Sequence, residues 1–393
     1  MFAYGFLSVV LALYLTQVGL SDQQIGLLLT WTLIGDAVIS LWLTGVADRL
    51  GRRRMLLVGA GLMVFAGVTF AITGNLLLLT IAAIIGTISP SGNEVGPFLP
   101  IEQAALPQTV SDKDRTHVFA WYALSGSLAT AVGSLCGGLL ASALQSGGMS
   151  PLNSYRVIVV GYALLGIALA AVFIRLSPAV EVPAQYATPN PQSRFGLHRS
   201  RNIVLGLSLL FMIDAFAGGL VVQTWAAKWF HQRWGADEAV LGGIFFGANV
   251  LAGLSALAAG RIAERIGLLN TMVFTHVPSN ILLILVPLMP NLPLAILMLL
   301  ARFSISQMDV PTRQSFTVAV VDPDERSAAA GVTNIARTLA TSLSQSLAGN
   351  LFQAGLLSAP FFIAGGLKLI YDVTLARSFS GIKPPEEQRE NTG

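Results

Sequence analysis

The sequence predicts an all-α polytopic membrane protein: twelve transmembrane helices in two six-helix repeats, with both termini cytoplasmic. Three observations carry this. Hydrophobic residues make up 54% of the 393 residues and charged residues 11%. A soluble chain has about 25% charged residues, and a soluble interior is too small to hide so much apolar surface. Twelve stretches approach the ~20 apolar residues that a spanning helix requires. Two charged motifs also recur at equivalent places in the two halves. The composition excludes a soluble enzyme, a nucleic-acid-binding protein and a disordered chain. The net charge of +3 is spread over short, separated basic clusters, so no nucleic-acid partner is expected. Cys136, the single cysteine, allows no intramolecular disulfide and no cysteine metal site.

The elements follow in order. Span 1 begins near Phe2 and merges with the N-terminal apolar run, which therefore reads as a span rather than a cleavable signal. Ser21-Asp22-Gln23 separates it from span 2, which begins near Gln24. The basic turn Arg52-Arg53-Arg54 precedes span 3, from Met55. Gly74-Asn75 divides span 3 from span 4, from Leu76. Spans 5 and 6 begin near His117 and Tyr155. Ser177 to Arg201 carries Pro178, Pro183, Pro189 and Pro191 and reads as a linker. Spans 7 to 12 begin near Ile203, Ala239, Thr271, Leu292, Ser327 and Ser358, with Pro290-Asn291 between spans 9 and 10. The organisation is a six-helix bundle over 1–176, a cytoplasmic linker over 177–201, a second bundle over 202–379 and a cytoplasmic tail over 380–393. Helices are the expected spanning element because lipid cannot satisfy backbone donors and acceptors.

Lysine and arginine set the orientation. Most fall on one side, including Arg49, Arg52, Arg53, Arg54, Arg194, Arg199, Arg261, Arg265 and Arg377. On the other side lie Arg156, Lys228 and Arg233. Trp225, Trp229, Trp234 and Tyr155 are expected near outer span ends as interface anchors, with a cavity position open for Trp225.

The repeat is explicit. Ala47-Asp48-Arg49-Leu50-Gly51 follows span 2, and Ala263-Glu264-Arg265-Ile266-Gly267 follows span 8. Pro100-Ile101-Glu102-Gln103 ends span 4, and Pro311-Thr312-Arg313-Gln314 ends span 10, each followed at the same spacing by an acid-arginine pair. Two matching halves describe a parallel-repeat architecture. Aligning Ala47 with Ala263 places Asp214 before Met1, so span 1 is expected to be short at its N-terminus by about ten to fifteen residues.

Thr44-Gly45-Val46-Ala47-Asp48-Arg49-Leu50-Gly51-Arg52-Arg53-Arg54 resembles the loop 2–3 signature of the major facilitator superfamily, with Thr44 at the family's glycine position. Gly260-Arg261-Ile262-Ala263-Glu264-Arg265 is its degenerate second copy. The resemblance implies the major facilitator fold and a transporter that acts as a monomer. Gly133-Ser134-Leu135-Cys136-Gly137-Gly138 is similar to the Gly-Pro-x-x-Gly-Gly element of proton-coupled drug exporters, with Ser134 in place of proline. The alternative is close helix packing through glycine.

Ionisable residues inside a membrane are costly, so each is a functional candidate. Asp36, Glu94, Glu102, Asp214, Asp309, Asp372, Arg302, Arg313, Arg337 and Lys368 fall inside spans. Asp36, Asp214, Asp309 and Arg337 come out about 16–20 Å from the cytoplasmic span ends, at ~1.5 Å per residue. That layer is where repeat transporters bind substrate and coupling ion. Arg302, Asp309 and Arg313 share one helical face, which lines either a cavity or a neighbouring helix. Three prolines and two glycines in Ser89–Pro100 distort span 4, with Asn93 and Glu94 at the break. Asp214, Glu94 and Asp36 are the proton-coupling candidates, since a coupling carboxylate must change its proton affinity with its surroundings. Asn93, Glu94, Arg302, Asp309 and Arg337 are the substrate-binding candidates.

The resemblance also implies a cytoplasmic latch. Its candidates are Asp48, Arg49, Arg52, Arg53, Glu102, Glu264, Arg265 and Arg313, with Arg52 or Arg53 engaging Glu102 and Glu264 engaging Arg313. By family topology spans 9 and 12 are outer helices. There His276 reads as packing or interfacial placement rather than as a proton relay, and Lys368 with Asp372 as a local i,i+4 ion pair. Trp121 and Tyr122 read either as packing or as a stacking surface.

No phosphate-binding loop, metal motif or redox motif is present in the sequence. No cofactor, metal site or catalytic residue is expected, and the chain does not read as an enzyme. The expected function is secondary active transport of a small solute by alternating access. Proton-coupled export is preferred, with H+ as the coupling ion. The alternatives are proton- or sodium-coupled uptake of a small organic anion, or a receptor that binds without transporting. The expected partners are a small-molecule substrate and the lipid bilayer, and the expected location is the plasma membrane, or the inner membrane in a bacterium.

Overall fold

Many helix ends fall where the sequence supplies a cap, a glycine or a proline, and the pattern of ends repeats. The computed structural model describes residues 1–92, 96, 98–109, 115–177, 180, 181, 200–322 and 325–379. Among them there are sixteen α-helices and no strand. The first eight are α1 (Phe2–Ser8), α2 (Leu11–Gln17), α3 (Asp22–Leu50), α4 (Arg52–Ile72), α5 (Leu76–Ile85), α6 (Phe98–Thr109), α7 (Arg115–Ser146) and α8 (Pro151–Ile174). The second eight are α9 (Arg201–Gly219), α10 (Gln223–Trp234), α11 (Glu238–Ile266), α12 (Leu268–Leu285), α13 (Leu292–Ser306), α14 (Asp309–Ala319), α15 (Arg326–Gln353) and α16 (Ala359–Phe379). Each set reads as a broken pair, two unbroken helices, a second broken pair and two unbroken helices. The repeat seen in the motifs is thus a repeat of helix breaks as well.

The recurring motif has a local cause. Gly51 follows α3 at φ 101° and Gly267 follows α11 at φ 87°. In both, the glycine N–H donates to the alanine four residues back at 2.9 Å, closing the last turn. Positive φ favours glycine, which has no Cβ, so each motif is a helix stop followed at once by a new helix. Polar side chains start other helices. Ser21 and Gln24 form a reciprocal capping box on α3, while Asn75 and Asn291 cap α5 and α13.

Nine helical segments among the described residues are long and apolar enough to cross a membrane, with α9–α10 and α13–α14 each counted as one. Large apolar side chains face outward, among them Ile72, Trp121, Leu209 and Phe274. Such a surface suits lipid rather than water.

Two compact units are distinguishable. The first comprises Met1–Asn190, Val222–Phe246 and Gln345–Gly355, and the second comprises Pro191–Val221, Gly247–Ser344 and Leu356–Gly393. In the first unit α1 lies against α7 at backbone distance. A Cβ on Gly133 would overlap the Phe2 carbonyl, and one on Gly137 would overlap that of Phe6. The same unit buries Trp225, Trp229 and Tyr155, which the sequence placed as interface anchors. Their polar atoms explain the difference: Trp225 Nε1 donates to Gln345 Oε1 at 3.0 Å, and the Tyr155 hydroxyl donates to Glu238. Lys228 pairs there with Asp22 and donates to Thr16 Oγ1 at 2.7 Å.

In the second unit Leu207, Leu210, Phe211, Met272, Phe316, Tyr371, Leu375 and Phe379 form a packed cluster from α9, α12, α14 and α16. Lipid supplies no hydrophobic drive between helices, so this packing acts through van der Waals contact.

Candidate functional site

Charged residues in the second unit occupy positions that helical periodicity reserves for the core. On α9 the buried stripe runs Leu207, Leu210, Phe211, Asp214. On α16 it runs Phe361, Ala364, Gly365, Lys368, Tyr371, Asp372, Leu375. On α12 it includes Met272, His276, Ser279, Asn280 and Leu283. The i, i+3, i+4 spacing of these stripes carries an acid, a base and a histidine into one interior.

Asp214 is the hub. It is 3% exposed. Its Oδ1 accepts from Lys368 Nζ, and His276 Nε2 lies 3.7 Å from the same oxygen. Its Oδ2 accepts from Arg313 Nη1 at 3.2 Å and from Arg337 Nη1 at 3.1 Å. Arg313 Nη1 also donates to Asp309 Oδ2 at 2.7 Å, and its guanidinium lies 5.6 Å from the Phe211 ring centre. Behind the hub, His276 Nδ1 is 2.7 Å from Asp372 Oδ1, and Asn280 Nδ2 donates to Asp372 Oδ2 at 2.9 Å. Arg302 is in Coulombic reach of Asp214 and Asp309 and lies 4.9 Å from the Phe303 ring centre. Its Nε has no hydrogen-bond partner among the described residues. Four cations therefore stand against three carboxylates, so with His276 neutral the cluster carries one surplus positive charge. Arg337 is the most accessible of the ion-paired cations, with 27% of its side chain exposed.

The sequence matches the family model of the Major Facilitator Superfamily over residues 1–345. The chain belongs to that superfamily. It is also similar to an uncharacterized membrane protein of Saccharomyces cerevisiae, 29% identical over 418 residues, covering 99% of this chain and 93% of the relative. Solved superfamily structures share the fold at low identity. The nucleoside transporter NupG aligns at TM-score 0.73 and 14% identity, covering 96% of each chain. A D-xylose-proton symporter aligns at TM-score 0.71 and 15% identity, covering 95% of this chain and 94% of the other. Membership of the superfamily supports a secondary transporter rather than an enzyme.

Within this superfamily fold the remaining sequence candidates scatter. Asp36 accepts from Ser40 Oγ at 3.4 Å and from the Gly96 backbone N–H, in the first unit. Glu102 accepts from the Tyr122 hydroxyl, while Trp121 is exposed. Arg52 and Arg53 donate their backbone N–H groups to the Glu181 carboxylate at 2.7 and 3.2 Å. Glu181 thus caps the N-terminus of α4, where the helix dipole favours an anion. Glu264 and Arg265 are exposed on α11, and the partners of Arg313 are Asp214 and Asp309. Asn93 and Glu94 lie outside the described residues, as do the side chains of Asp48 and Arg49.

Lys368 and Asp372 depart from the expected local pair: Lys368 reaches Asp214, and Asp372 meets His276. Outer-helix placement by family topology argued for the local pair. The buried stripe of α16, legible at i, i+3, i+4 spacing, is the signal that would have found both residues.

Proposed function

We propose that this protein is a proton-coupled secondary transporter of a small organic anion. The observation that carries this reading is the surplus of cations around Asp214. One carboxylate holds Lys368, Arg313 and Arg337 together. An entering carboxylate or phosphate-like group offers those cations a second partner, and Arg337 is accessible enough to take it. Arg302, with an unpartnered Nε, supplies a further donor on the same unit. Bidentate guanidinium geometry suits planar oxyanions. Neutralising Asp214 by a proton takes away the partner its three cations share, leaving Arg313 with Asp309, which ties proton movement to anion binding. Energy then comes from the ion gradient, through alternating access.

The export preference rested on the glycine element of α7 and on the several midplane carboxylates. Close packing of Gly133 and Gly137 on α1 supports the packing alternative for those two glycines, and the present reading commits to an anion rather than to a direction of transport.

The test uses proteoliposomes with an internal pH dye under an imposed proton gradient. Benzoate, lactate, succinate and citrate are compared with a neutral sugar and a cationic amphiphile. The reading expects proton movement with at least one carboxylate and its loss in Arg337→Gln. Proton movement with the cationic amphiphile alone overturns the anion reading and restores proton-coupled export.

A further inference from the structure

We infer that His276 and Asp372 form a proton-binding site that feeds Asp214, so that the coupling proton is stored behind the hub rather than on it. This rests on the proton-coupled reading above and adds the proton's location to it.

Asp372 is fully buried and His276 is 4% exposed. One proton lies between His276 Nδ1 and Asp372 Oδ1, which are 2.7 Å apart. Asn280 Nδ2 fixes the second carboxylate oxygen at 2.9 Å and lies 3.2 Å from Nδ1. With that single proton the pair carries one negative charge. A second proton, on Nε2, makes the pair neutral as a whole. Nε2 faces Asp214 Oδ1 at 3.7 Å. The imidazole stands perpendicular to the Tyr371 ring, with the ring centres 5.8 Å apart.

The charged and titratable groups around the ring come from every helix packed on α12. α9 presents Asp214, α13 presents Arg302, and α14 presents Asp309 and Arg313. α16 presents Lys368, Tyr371 and Asp372. Arg337 of α15 reaches the same Asp214 carboxylate. The cations crowd Asp214, whereas Asp372 has His276 and Asn280.

The transfer balances. The Nε2–H bond of the doubly protonated ring breaks, and an O–H bond forms at Asp214 Oδ1. His276 is left neutral with its Nδ1 proton still directed at Asp372. Hydrogen-bond contact requires the 3.7 Å gap to close by roughly 1 Å. Asp214, now uncharged, no longer holds Lys368, Arg313 and Arg337, and a monoanion can take its place. One added proton and one added monoanion leave the cluster's net charge as it was, so the expected stoichiometry is one to one.

Two measurements test the site, on His276→Gln and on Asp372→Asn, which keeps the size and hydrogen bonding of the residue it replaces. The first needs no substrate. Infrared difference spectra of the full chain in lipid are recorded between about pH 5 and pH 9, the range in which histidine titrates. The imidazole and carboxyl bands missing in His276→Gln should also be missing or displaced in Asp372→Asn. Bands unchanged in Asp372→Asn overturn the proposal. The second uses benzoate as probe. Proton-driven benzoate accumulation should fall at least about tenfold in both variants, while benzoate counterflow at symmetric pH persists. Full proton-driven accumulation in either variant also overturns it. If wild-type protein moves no benzoate, the transport reading is in doubt, and the infrared result still decides the site.

Discussion

Replacing Asp214 by asparagine removes one negative charge and leaves three cations facing one another. The structure says which of them suffers most. Arg313 keeps Asp309 at 2.7 Å, and Arg337 keeps part of its side chain exposed. Lys368 is buried, and Asp214 is the only carboxylate among the described residues within ion-pair distance of it. Stranding one charge of a buried pair costs about 3–5 kcal/mol. Asp214→Asn should therefore lose about that much stability, most of it through Lys368. Removing the stranded charge should recover part of the loss. Lys368→Met in the Asp214→Asn background should restore at least about 1 kcal/mol relative to additivity, as expected of residues in contact. The assay is a double-mutant cycle on purified protein, with unfolding by denaturing detergent followed by tryptophan fluorescence. Losses that add to within about 0.5 kcal/mol refute the assignment of Lys368 to Asp214. So does an Asp214→Asn variant as stable as wild type.

Arg337→Gln should weaken anion binding about 10- to 100-fold, the equivalent of one charge-assisted hydrogen bond at about 1.5–3 kcal/mol; the concentration dependence of benzoate counterflow reads it directly. Gly137→Val places a branched side chain against the Phe6 carbonyl and should remove most folded protein from detergent extracts, judged by size-exclusion chromatography. Glu181→Gln takes the anion from the start of α4 and should cost about 0.5–2 kcal/mol, the range of a lost N-cap, seen as a small drop in Tm.

The fold was legible because lipid leaves few choices. Apolar runs must be helices, and a glycine at Gly51 and again at Gly267 marks the same stop in both halves. Helix breaks were half legible. Prolines and glycines announced the gap between α5 and α6, but no proline marks Val9-Val10, where α1 gives way to α2. The site was legible as an inventory rather than as a set of pairings. Asp214, Asp309, Arg302, Arg313 and Arg337 stand out as charges in apolar runs. Which cation meets Asp214 depends on how α9, α14, α15 and α16 are rotated about their axes, and that is decided by packing distant in sequence. His276 was passed over because topology weighed more than periodicity, although His276 and Asn280 stand on one face four residues apart. Glu181 carried no signal at all, since it comes from a proline-rich linker whose path the sequence does not set.

The arrangement around Asp214 is not one that stability alone would favour. Replacing a buried ion pair by apolar residues of similar volume is often neutral, or stabilising by about 1–4 kcal/mol. If charges had to be buried, one carboxylate per cation would hold them most firmly. Such a cluster would also be inert, because an incoming anion would displace a partner from every cation it touched and gain nothing. Sharing Asp214 among Lys368, Arg313 and Arg337 does the opposite. Each cation is only partly satisfied, and a single proton on a single carboxylate loosens all three together. Asp214 is 3% exposed, and His276 Nε2 lies 3.7 Å from its Oδ1. Under the proposed proton-coupled reading, a shared carboxylate with a histidine behind it gives coupling a place to act, which ion pairing for stability alone does not call for.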